Sequence, residues 1–183
     1  MMIETDRLIL RRFSENDLLD LFEYLSDPEV VKFEPYGLMS LDEVSEELDL
    51  RIASEEMVAV ELKSSGILIG NVYLGKREND ALEIGFVFNQ DFWNQGYAME
   101  SCKVLIHEAF SSGITRVCAE CDPENQSSWK LLERLGFTRE AHLIKNTWFW
   151  KDELGEPILK DTYIYSLENQ LTSINAYQGD PLQ

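Results

Sequence analysis

Positive charge is scarce in this chain. Its 183 residues carry 16 Lys and Arg against 34 Asp and Glu, which gives a formal net charge of −18. Binding to DNA or RNA relies on a positive surface that releases counterions from the phosphates, so this charge disfavours direct nucleic acid binding. It favours either a cationic binding partner, attracted at long range, or simple solubility.

Cysteine is also rare, with Cys102, Cys118 and Cys121 as its three instances. The spacing Cys118-x-x-Cys121 occurs in redox and zinc sites, but here it falls inside a predicted strand, VCAEC, and not at a strand–helix turn. We therefore interpret all three as buried apolar side chains and predict no metal site. Free thiols fit the reducing cytoplasm.

Two kinds of segment are missing. No run approaches the roughly 20 apolar residues that span a bilayer, and residues 1–13 lack the basic start, apolar stretch and cleavage site of a signal peptide. We therefore expect a cytoplasmic protein without membrane contact. The length fits one domain, placed at residues 1–170, followed by a flexible tail at 171–183, where no periodicity is visible.

Strand-like and helix-like segments are mixed along the chain, which predicts an α/β (α+β mixed) fold with a mixed sheet. A helix starts near Ser14 and stops at Asp27-Pro28, and Ser40-x-x-Glu43 is a capping box that opens another. The predicted strands are 7–13, 57–62, 67–74, 81–88, 116–121, 137–143, 147–151 and 160–167, and the other predicted helices are 41–53, 98–110 and 126–135.

The most informative segment is 88–101, FNQDFWNQGYAMES, which joins a predicted strand to an amphipathic helix. Gly96 and Ala98 stand where the helix begins. A helix start has unpartnered N–H groups and a partial positive charge, and small residues let an anion approach them. The segment therefore predicts a phosphate-binding turn. The alternative is ordinary turn chemistry, because short motifs of this kind also occur by chance.

Three ordered segments resemble the GNAT acetyltransferase superfamily, and in particular its RimJ/RimL-like branch. Residues 93–100, WNQGYAME, are similar to the branch's W-G-x-G-Y-A-x-E turn. Residues 125–137, NQSSWKLLERLGF, resemble its N-x-x-S…L-G-F signature, and residues 4–11, ETDRLILR, resemble its T-x-R-L-x-L-R start. Asn94 replaces the usual Gly, and Asn tolerates left-handed backbone angles better than most residues.

The resemblance implies a GNAT-type fold, with a central, mostly antiparallel mixed sheet, flanking helices and two splayed parallel strands, 81–88 and 116–121. It implies acetyl-CoA as the co-substrate, with its pantetheine arm in the gap between those strands. The residues expected to bind it are Val87 and Phe88 at the strand end, Gln95, Gly96, Tyr97, Ala98 and Met99 at the pyrophosphate, Asn125 near the pantetheine arm, and Lys130 at the nucleotide phosphates. Arg134 is a weaker candidate than Lys130, and for Lys130 a solvated helix face is the alternative.

Acetyl transfer to an amine requires a group that takes the amine proton and groups that stabilise the thioester oxygen and the thiolate. Glu83 is the candidate base, because a carboxylate between Leu82 and Ile84 either faces water or lies in a site that tunes it for proton transfer. The resemblance makes Ser128 the candidate partner of the leaving thiolate. The alternative for Ser128 is a first-turn helix residue that bonds the backbone.

These expectations describe an N-acetyltransferase whose acceptor is a primary amine, either a protein N-terminus or a small amine. A cationic acceptor fits the acidic composition, since residues 42–61 hold eight acids and one base, Arg51. The alternative is a non-catalytic acyl-CoA-binding module or sensor, and a nucleotide-binding regulator is a weaker third hypothesis. The acceptor and the oligomeric state, monomer or homodimer, are left open by the sequence.

Overall fold

An eight-stranded sheet organises residues 2–78 and 81–170, which are the residues that this computed structural model describes. The predicted tail at 171–183 lies outside the described residues. The strands are β1 Met2–Glu4, β2 Leu8–Arg11, β3 Met57–Leu62, β4 Ile67–Lys76, β5 Ala81–Phe88, β6 Arg116–Cys121, β7 Thr138–Thr147 and β8 Lys160–Glu168. The helices are α1 Leu18–Leu25, α2 Pro28–Val31, α3 Leu41–Ala53, α4 Tyr97–Ser111 and α5 Gln126–Arg134.

The sheet has the order β1-β2-β3-β4-β5-β6-β8-β7. Every neighbouring pair is antiparallel except β5 and β6, which are parallel because α4 carries the chain back across the sheet between them. The predicted α/β fold with a mixed, mostly antiparallel sheet is therefore confirmed.

Both faces of the sheet are covered, since strand side chains alternate between them. On one face, Ile84 and Phe88 of β5 pack with Leu105 of α4 and Leu132 of α5. On the other face, β3 and β4 pack against α1 and α3. Full burial of one such side chain contributes about 1.5–3 kcal/mol, so these two clusters fix the positions of the strands that carry the site.

Local signals position the helices as expected in most places. The Ser40 hydroxyl accepts the Glu43 N–H and the Glu43 carboxylate accepts the Ser40 N–H at 2.8 Å, which confirms the predicted capping box. Asp27-Pro28 ends α1 but also begins the four-residue α2, because proline suits the first turn of a helix and the Asp27 side chain accepts the Glu29 N–H.

The strand predictions differ from the structure at both ends of the chain. The three-residue β1 has too little periodicity to be visible in the sequence, and β2 is shorter than the predicted 7–13. The predicted strand at 147–151 does not form. Instead β7 runs on to Thr147, and Lys151 makes an isolated bridge to Pro157. Trp148 and Trp150, which the predicted strand would have placed on one face of the sheet, are almost half exposed.

The parallel strands β5 and β6 separate toward their carboxyl ends. Their pairing covers three positions and stops at Glu83 opposite Cys118. Beyond that point β5 stays paired with β4 as far as Phe88, and β6 stays paired with β8 as far as Cys121. The splayed pair expected at 81–88 and 116–121 is therefore present, and it opens a gap in the middle of the sheet.

A search of the described residues for bilayer-crossing helices finds none with the required length and apolar character.

Candidate functional site

A cleft of about 1100 Å³ occupies the gap between β5 and β6. One end is formed by the start of α4 and by the β6–α5 connection. The other end is formed by the segment after α2, by the buried end of α3 and by the β7–β8 connection. Its walls therefore come from distant parts of the chain. The lining residues lie in the segments 29–36, 83–88, 92–99, 119–134 and 146–149, on α3, β3 and β4, and at the start of β8.

The edge of β5 presents backbone amides to this cleft. Antiparallel strands alternate between hydrogen-bonded and non-bonded pairs. The bonds Arg77 N–H to Ala81 C=O (2.8 Å) and Asn89 N–H to Ile69 C=O (3.0 Å) fix which residues of β5 face β4.

By that alternation the N–H of Val87 faces Asn71 of β4, and the amides that face the gap are those of Phe86 and Phe88. Phe86, which the sequence did not single out, therefore replaces Val87 as the second gap-facing amide. The carbonyl of Phe88 is taken by the indole N–H of Trp93 at 2.7 Å, so Trp93 holds the strand end against the following turn.

The turn before α4 has the geometry expected of an anion cradle. Asn94 has φ = 59° and Gly96 has φ = 84°, both left-handed, so Asn94 does supply the conformation for which Gly is usual. The first intrahelical bond runs from the Glu100 N–H to the Gly96 carbonyl. The N–H groups of Tyr97, Ala98 and Met99 therefore precede the helix ladder.

Gly96, Tyr97, Ala98 and Met99 all line the cleft, and their N–H groups with the positive end of α4 form a donor set that suits a diphosphate. Gln95 does not line it. Its carbonyl accepts a bond from Arg7 at 2.9 Å and its side-chain amide donates to Asp91, so this residue faces the outside of the turn.

The start of α5 brings Asn125 and Ser128 to the cleft wall. The Asn125 side-chain oxygen caps the helix by accepting the Ser128 N–H at 3.2 Å and the Ser127 hydroxyl at 3.0 Å. Burial raises the pKa of Cys121 to about 11, although hydrogen bonding from Ser128 pulls it down, so this thiol is neutral near pH 7. Ser128 is thus a polar hydroxyl beside the gap.

The two basic residues of α5 have different positions. Lys130 is exposed, bonds Gln126 at 3.2 Å and lies over the Trp129 ring, and it does not line the cleft. Arg134, the weaker candidate, does line it. Of the two, Arg134 has the better position for reaching a ligand in the cleft.

Glu83 lies at the point where β5 and β6 part, and it borders the cleft with about a third of its side chain exposed. It is not a free carboxylate. Arg77 donates to Glu83 at 2.9 Å and to Glu120 of β6 at 2.6 Å. One guanidinium therefore bridges the two strands just where their backbone pairing ends.

A polar cluster at the opposite end of the cleft was not anticipated from the sequence. Arg51 is 2% exposed and donates to Glu47 and to the side-chain oxygen of Asn71, each at 2.8 Å. The Tyr24 hydroxyl donates to the same oxygen of Asn71 at 2.9 Å.

Glu34 and Tyr36 complete this cluster on the cleft side. Burial raises the pKa of Glu34 to about 7, although a hydrogen bond from Tyr36 and the charge of Arg51 pull it down. Burial likewise raises the pKa of Tyr36, with the Glu34 carboxylate adding to the effect. A carboxyl with this pKa exchanges protons near neutral pH. The segment that carries it has no periodicity, and its only sequence signal is an acid between Phe33 and Tyr36.

The β7–β8 connection closes this end of the cleft. A methyl group at Gly37 would meet the Trp150 ring at 3.3 Å, so the two loops touch. The Lys160 ammonium lies 5.6 Å from the Phe33 ring centroid and bonds Asp122 at 2.6 Å. Lys160 thereby links the segment after α2 to the end of β6.

Known proteins share both the sequence pattern and this architecture. The family model described as an acetyltransferase (GNAT) domain matches residues 7–138. The N-acetyltransferase YnaD of Bacillus subtilis, described as uncharacterized, is 30% identical over 171 residues, which is 89% of this chain and 99% of YnaD. The p20 protein of Bacillus licheniformis, described in the same way, is 30% identical over 174 residues, covering 89% and 93%.

Solved acetyltransferase structures share the fold of this chain. A GNAT-family acetyltransferase from Bacillus anthracis superposes with a TM-score of 0.84 at 28% identity and covers 93% of this chain and 99% of its own. The microcin C7 self-immunity acetyltransferase MccE, solved with acetyl-CoA and AMP, has a TM-score of 0.75 at 20% identity, covering 90% and 93%. At that identity MccE shows a shared fold.

Proposed function

Since this chain is an N-acetyltransferase of the GNAT family, we propose that its cleft binds acetyl-CoA and passes the acetyl group directly to a primary amine. The observation that carries the proposal is the pairing of two features in one cleft. The left-handed Gly96 turn presents three helix-start amides, and the strand gap opens directly beside it. The first suits a diphosphate and the second admits an extended arm with amide groups.

The geometry supports a specific set of ligand groups. The amides of Tyr97, Ala98 and Met99 would hold the pyrophosphate, and the gap-facing amides of Phe86 and Phe88 would pair with the pantetheine arm. Asn125 would reach the arm through the part of its side chain not used as the helix cap, and Arg134 would meet the nucleotide end in place of Lys130. That MccE, with the same fold, was solved with acetyl-CoA supports acetyl-CoA as the ligand.

The reaction requires an amine without its proton, since an α-amine titrates near 8 and a lysine amine near 10.4. Glu83 would take that proton, directly or through water, and Arg77 would hold its carboxylate at the strand junction. The amine nitrogen then bonds the acetyl carbon and the carbon–sulfur bond breaks, and the second proton that the nitrogen loses as the amide forms passes, through water, to the leaving sulfur. Ser128 would hydrogen-bond that sulfur. With both substrates in line, no covalent enzyme intermediate is needed.

A second carboxyl qualifies for the proton-accepting role. Glu34 lies at the other end of the same cleft and has a pKa near 7, whereas Glu83 is engaged by an arginine. Glu34 would therefore serve either as the base or as the group that receives the acceptor ammonium. The acceptor class that fits is a cationic amine, either a protein N-terminus, as in the RimJ/RimL-like branch, or a small amine.

The test is a thiol-release screen of peptides and small amines with acetyl-CoA, read also by mass. We expect turnover by the wild type, a loss of kcat in Glu83→Gln of about 100-fold, and a smaller loss in Ser128→Ala. Lys130→Gln is the matched control, because this exposed residue lies outside the cleft lining, and we expect it to keep wild-type kinetics.

The competing hypothesis is an acyl-CoA-binding module. It predicts CoA binding by calorimetry without turnover of any amine in the screen. Tighter binding of ATP than of acetyl-CoA would contradict both hypotheses, because neither the strand gap nor its amides would then have a ligand.

A further inference from the structure

We propose that Arg7 and Glu100 are positioning residues that brace and electrically neutralise the turn at which the proposed pyrophosphate binds. This inference rests on the proposed function. It concerns two charged residues 93 positions apart, in the segments ETDRLILR and WNQGYAME, that no step of the reaction uses.

Arg7 makes several polar contacts with Glu100 and Gln95. Arg7 Nε donates to Glu100 Oε2 at 2.7 Å, and its terminal nitrogen NH2 lies 2.6 Å from the same oxygen. Its other terminal nitrogen, NH1, donates to the Gln95 carbonyl at 2.9 Å, and the Arg7 backbone N–H donates to Glu100 Oε1 at 3.2 Å. All of these bonds reach residues of the turn or of the first turn of α4.

The Arg7 guanidinium also lies on the cradle itself. It is 4.4 Å from the Tyr97 ring centroid, and a methyl group at Gly96 would meet its NH2 nitrogen at 3.4 Å. Arg7 therefore packs on the outer side of the residues whose amides face the cleft. Displacing it frees the Gln95 carbonyl and the left-handed Gly96 together.

Hydrogen bonds from neighbouring elements hold the backbone around Arg7 in place. Thr5 donates its hydroxyl to Glu100 and accepts the Leu8 N–H at 3.0 Å, which closes the tight turn between β1 and β2. Lys63 of the β3–β4 hairpin donates to the Thr5 carbonyl at 2.7 Å and to the Arg7 carbonyl at 3.0 Å. The Arg7 side chain is thus held at its backbone end by the sheet.

Charge gives the pair a second role. Glu100 is the acidic residue in the first turn of α4, where it benefits from the helix dipole. The same position would place an unpaired carboxylate next to a bound diphosphate and repel it. Arg7 cancels that charge, and its five donors in a planar fork suit the two-sided contact with Glu100 and Gln95 in a way that lysine cannot match.

The experiment measures CoA affinity by calorimetry at low and high salt for wild type, Arg7→Met, Arg7→Lys, Glu100→Gln and the double variant Arg7→Met/Glu100→Gln. We expect Arg7→Met to weaken CoA binding about tenfold or more, because it loses charge-assisted bonds and exposes the Glu100 charge. Arg7→Lys should give a smaller loss. The double variant should recover part of the affinity, and added salt should help Arg7→Met more than the others.

Kinetics separate positioning from general damage. We expect KM for acetyl-CoA to rise while kcat changes little, because the brace acts on binding and not on the reacting atoms. S-acetylpantetheine lacks the pyrophosphate, so its kcat/KM should be nearly the same in wild type and Arg7→Lys. Arg116→Met is the matched control, since Arg116 is similarly exposed and pairs with Glu140 and Glu168 away from the cleft.

The outcomes are distinct. A wild type that does not bind CoA contradicts the proposed function itself. If the wild type binds CoA and the folded Arg7 variants bind it equally well, the brace is disproved while the proposed function stands. Equal losses for acetyl-CoA and S-acetylpantetheine would show that Arg7 supports the fold in general and would also overturn the inference. A double variant no better than Arg7→Met would refute the charge role.

Discussion

Replacement of Glu34 by glutamine tests whether the Glu34 carboxyl is protonated in the folded protein, at the end of the cleft opposite the start of α4. Burial raises the pKa of Glu34 to about 7 from an ordinary value of 4.5. Between those two values the unfolded chain has released this proton while the folded protein still holds it. Raising the pH between these two pKa values therefore lowers the free energy of unfolding. The loss is complete once the pH exceeds the pKa of Glu34 in the folded protein.

The size of this stability change follows from the difference between the two pKa values of Glu34. One pKa unit corresponds to about 1.4 kcal/mol, so the interval between 4.5 and about 7 sets an upper bound of about 3 kcal/mol. Solvent reaches part of this side chain and screens its charge, so we expect about 1–3 kcal/mol. Glutamine stays neutral at every pH. The stability of Glu34→Gln relative to wild type should therefore rise by this amount as pH goes from about 4.5 to about 7.5.

The assay is urea unfolding at several pH values, with the free energy of unfolding extrapolated to water. Glu23→Gln, on an exposed part of α1, serves as the control for the loss of one acid from a very acidic protein. A constant difference between Glu34→Gln and wild type across this pH range would refute the reasoning. It would mean that Tyr36 and Arg51 stabilise the Glu34 carboxylate as well as water does.

The same variant bears on catalysis. If Glu34 takes the amine proton, the wild-type pH–rate profile has a limb near pH 7 that disappears in Glu34→Gln and persists in Glu83→Gln. A limb near pH 7 that persists in Glu34→Gln would exclude Glu34 as the group that takes the amine proton.

Two further substitutions probe the cradle and the buried cluster. Gly96→Ala forces a side chain into a left-handed residue and toward Arg7, so it should cost about 1–2 kcal/mol of stability and weaken CoA binding, which calorimetry and unfolding can measure. Unchanged affinity would show that the turn tolerates another conformation. Arg51→Met leaves Glu47 and Asn71 without their buried partner, so urea unfolding should show a loss of about 3 kcal/mol or more, and a loss below about 1 kcal/mol would contradict the account of this cluster.

The central elements were predictable because their signals are local. Strands 57–62, 81–88 and 116–121 have the bounds expected from their apolar and β-branched residues and the turn residues that flank them. The helix after residue 96 begins within one residue of its predicted start, because Gly96 supplies a left-handed angle there. Local chemistry of this kind depends on a few neighbouring residues and is readable from them.

The parts that could not be predicted depend on contacts between distant segments. The sequence indicated two basic residues one turn apart on α5, but only the packing of that helix decides that Arg134 and not Lys130 borders the cleft. The Phe86 and Phe88 amides face the gap because of the pairing phase of β4 and β5, which no property of residues 81–88 alone determines.

Ion pairs within and around the cleft also explain how a chain with a net charge of −18 can offer a site to an anionic ligand. The net charge of the molecule acts on approaching ions at a distance, and salt weakens this effect beyond about 10 Å. A bound phosphate responds mainly to the charges directly beside it. Five carboxylates in and around the cleft are paired with cations: Glu83 and Glu120 with Arg77, Glu47 with Arg51, Asp122 with Lys160, and Glu100 with Arg7. Glu29, Glu34 and Asp161 also line the cleft. Glu34, without such a direct ion pair among the described residues, has a raised pKa instead. The cleft is therefore much closer to neutrality than the composition indicates, and the excess acid of α3 remains on the exposed surface, where it would attract the cationic acceptor proposed above.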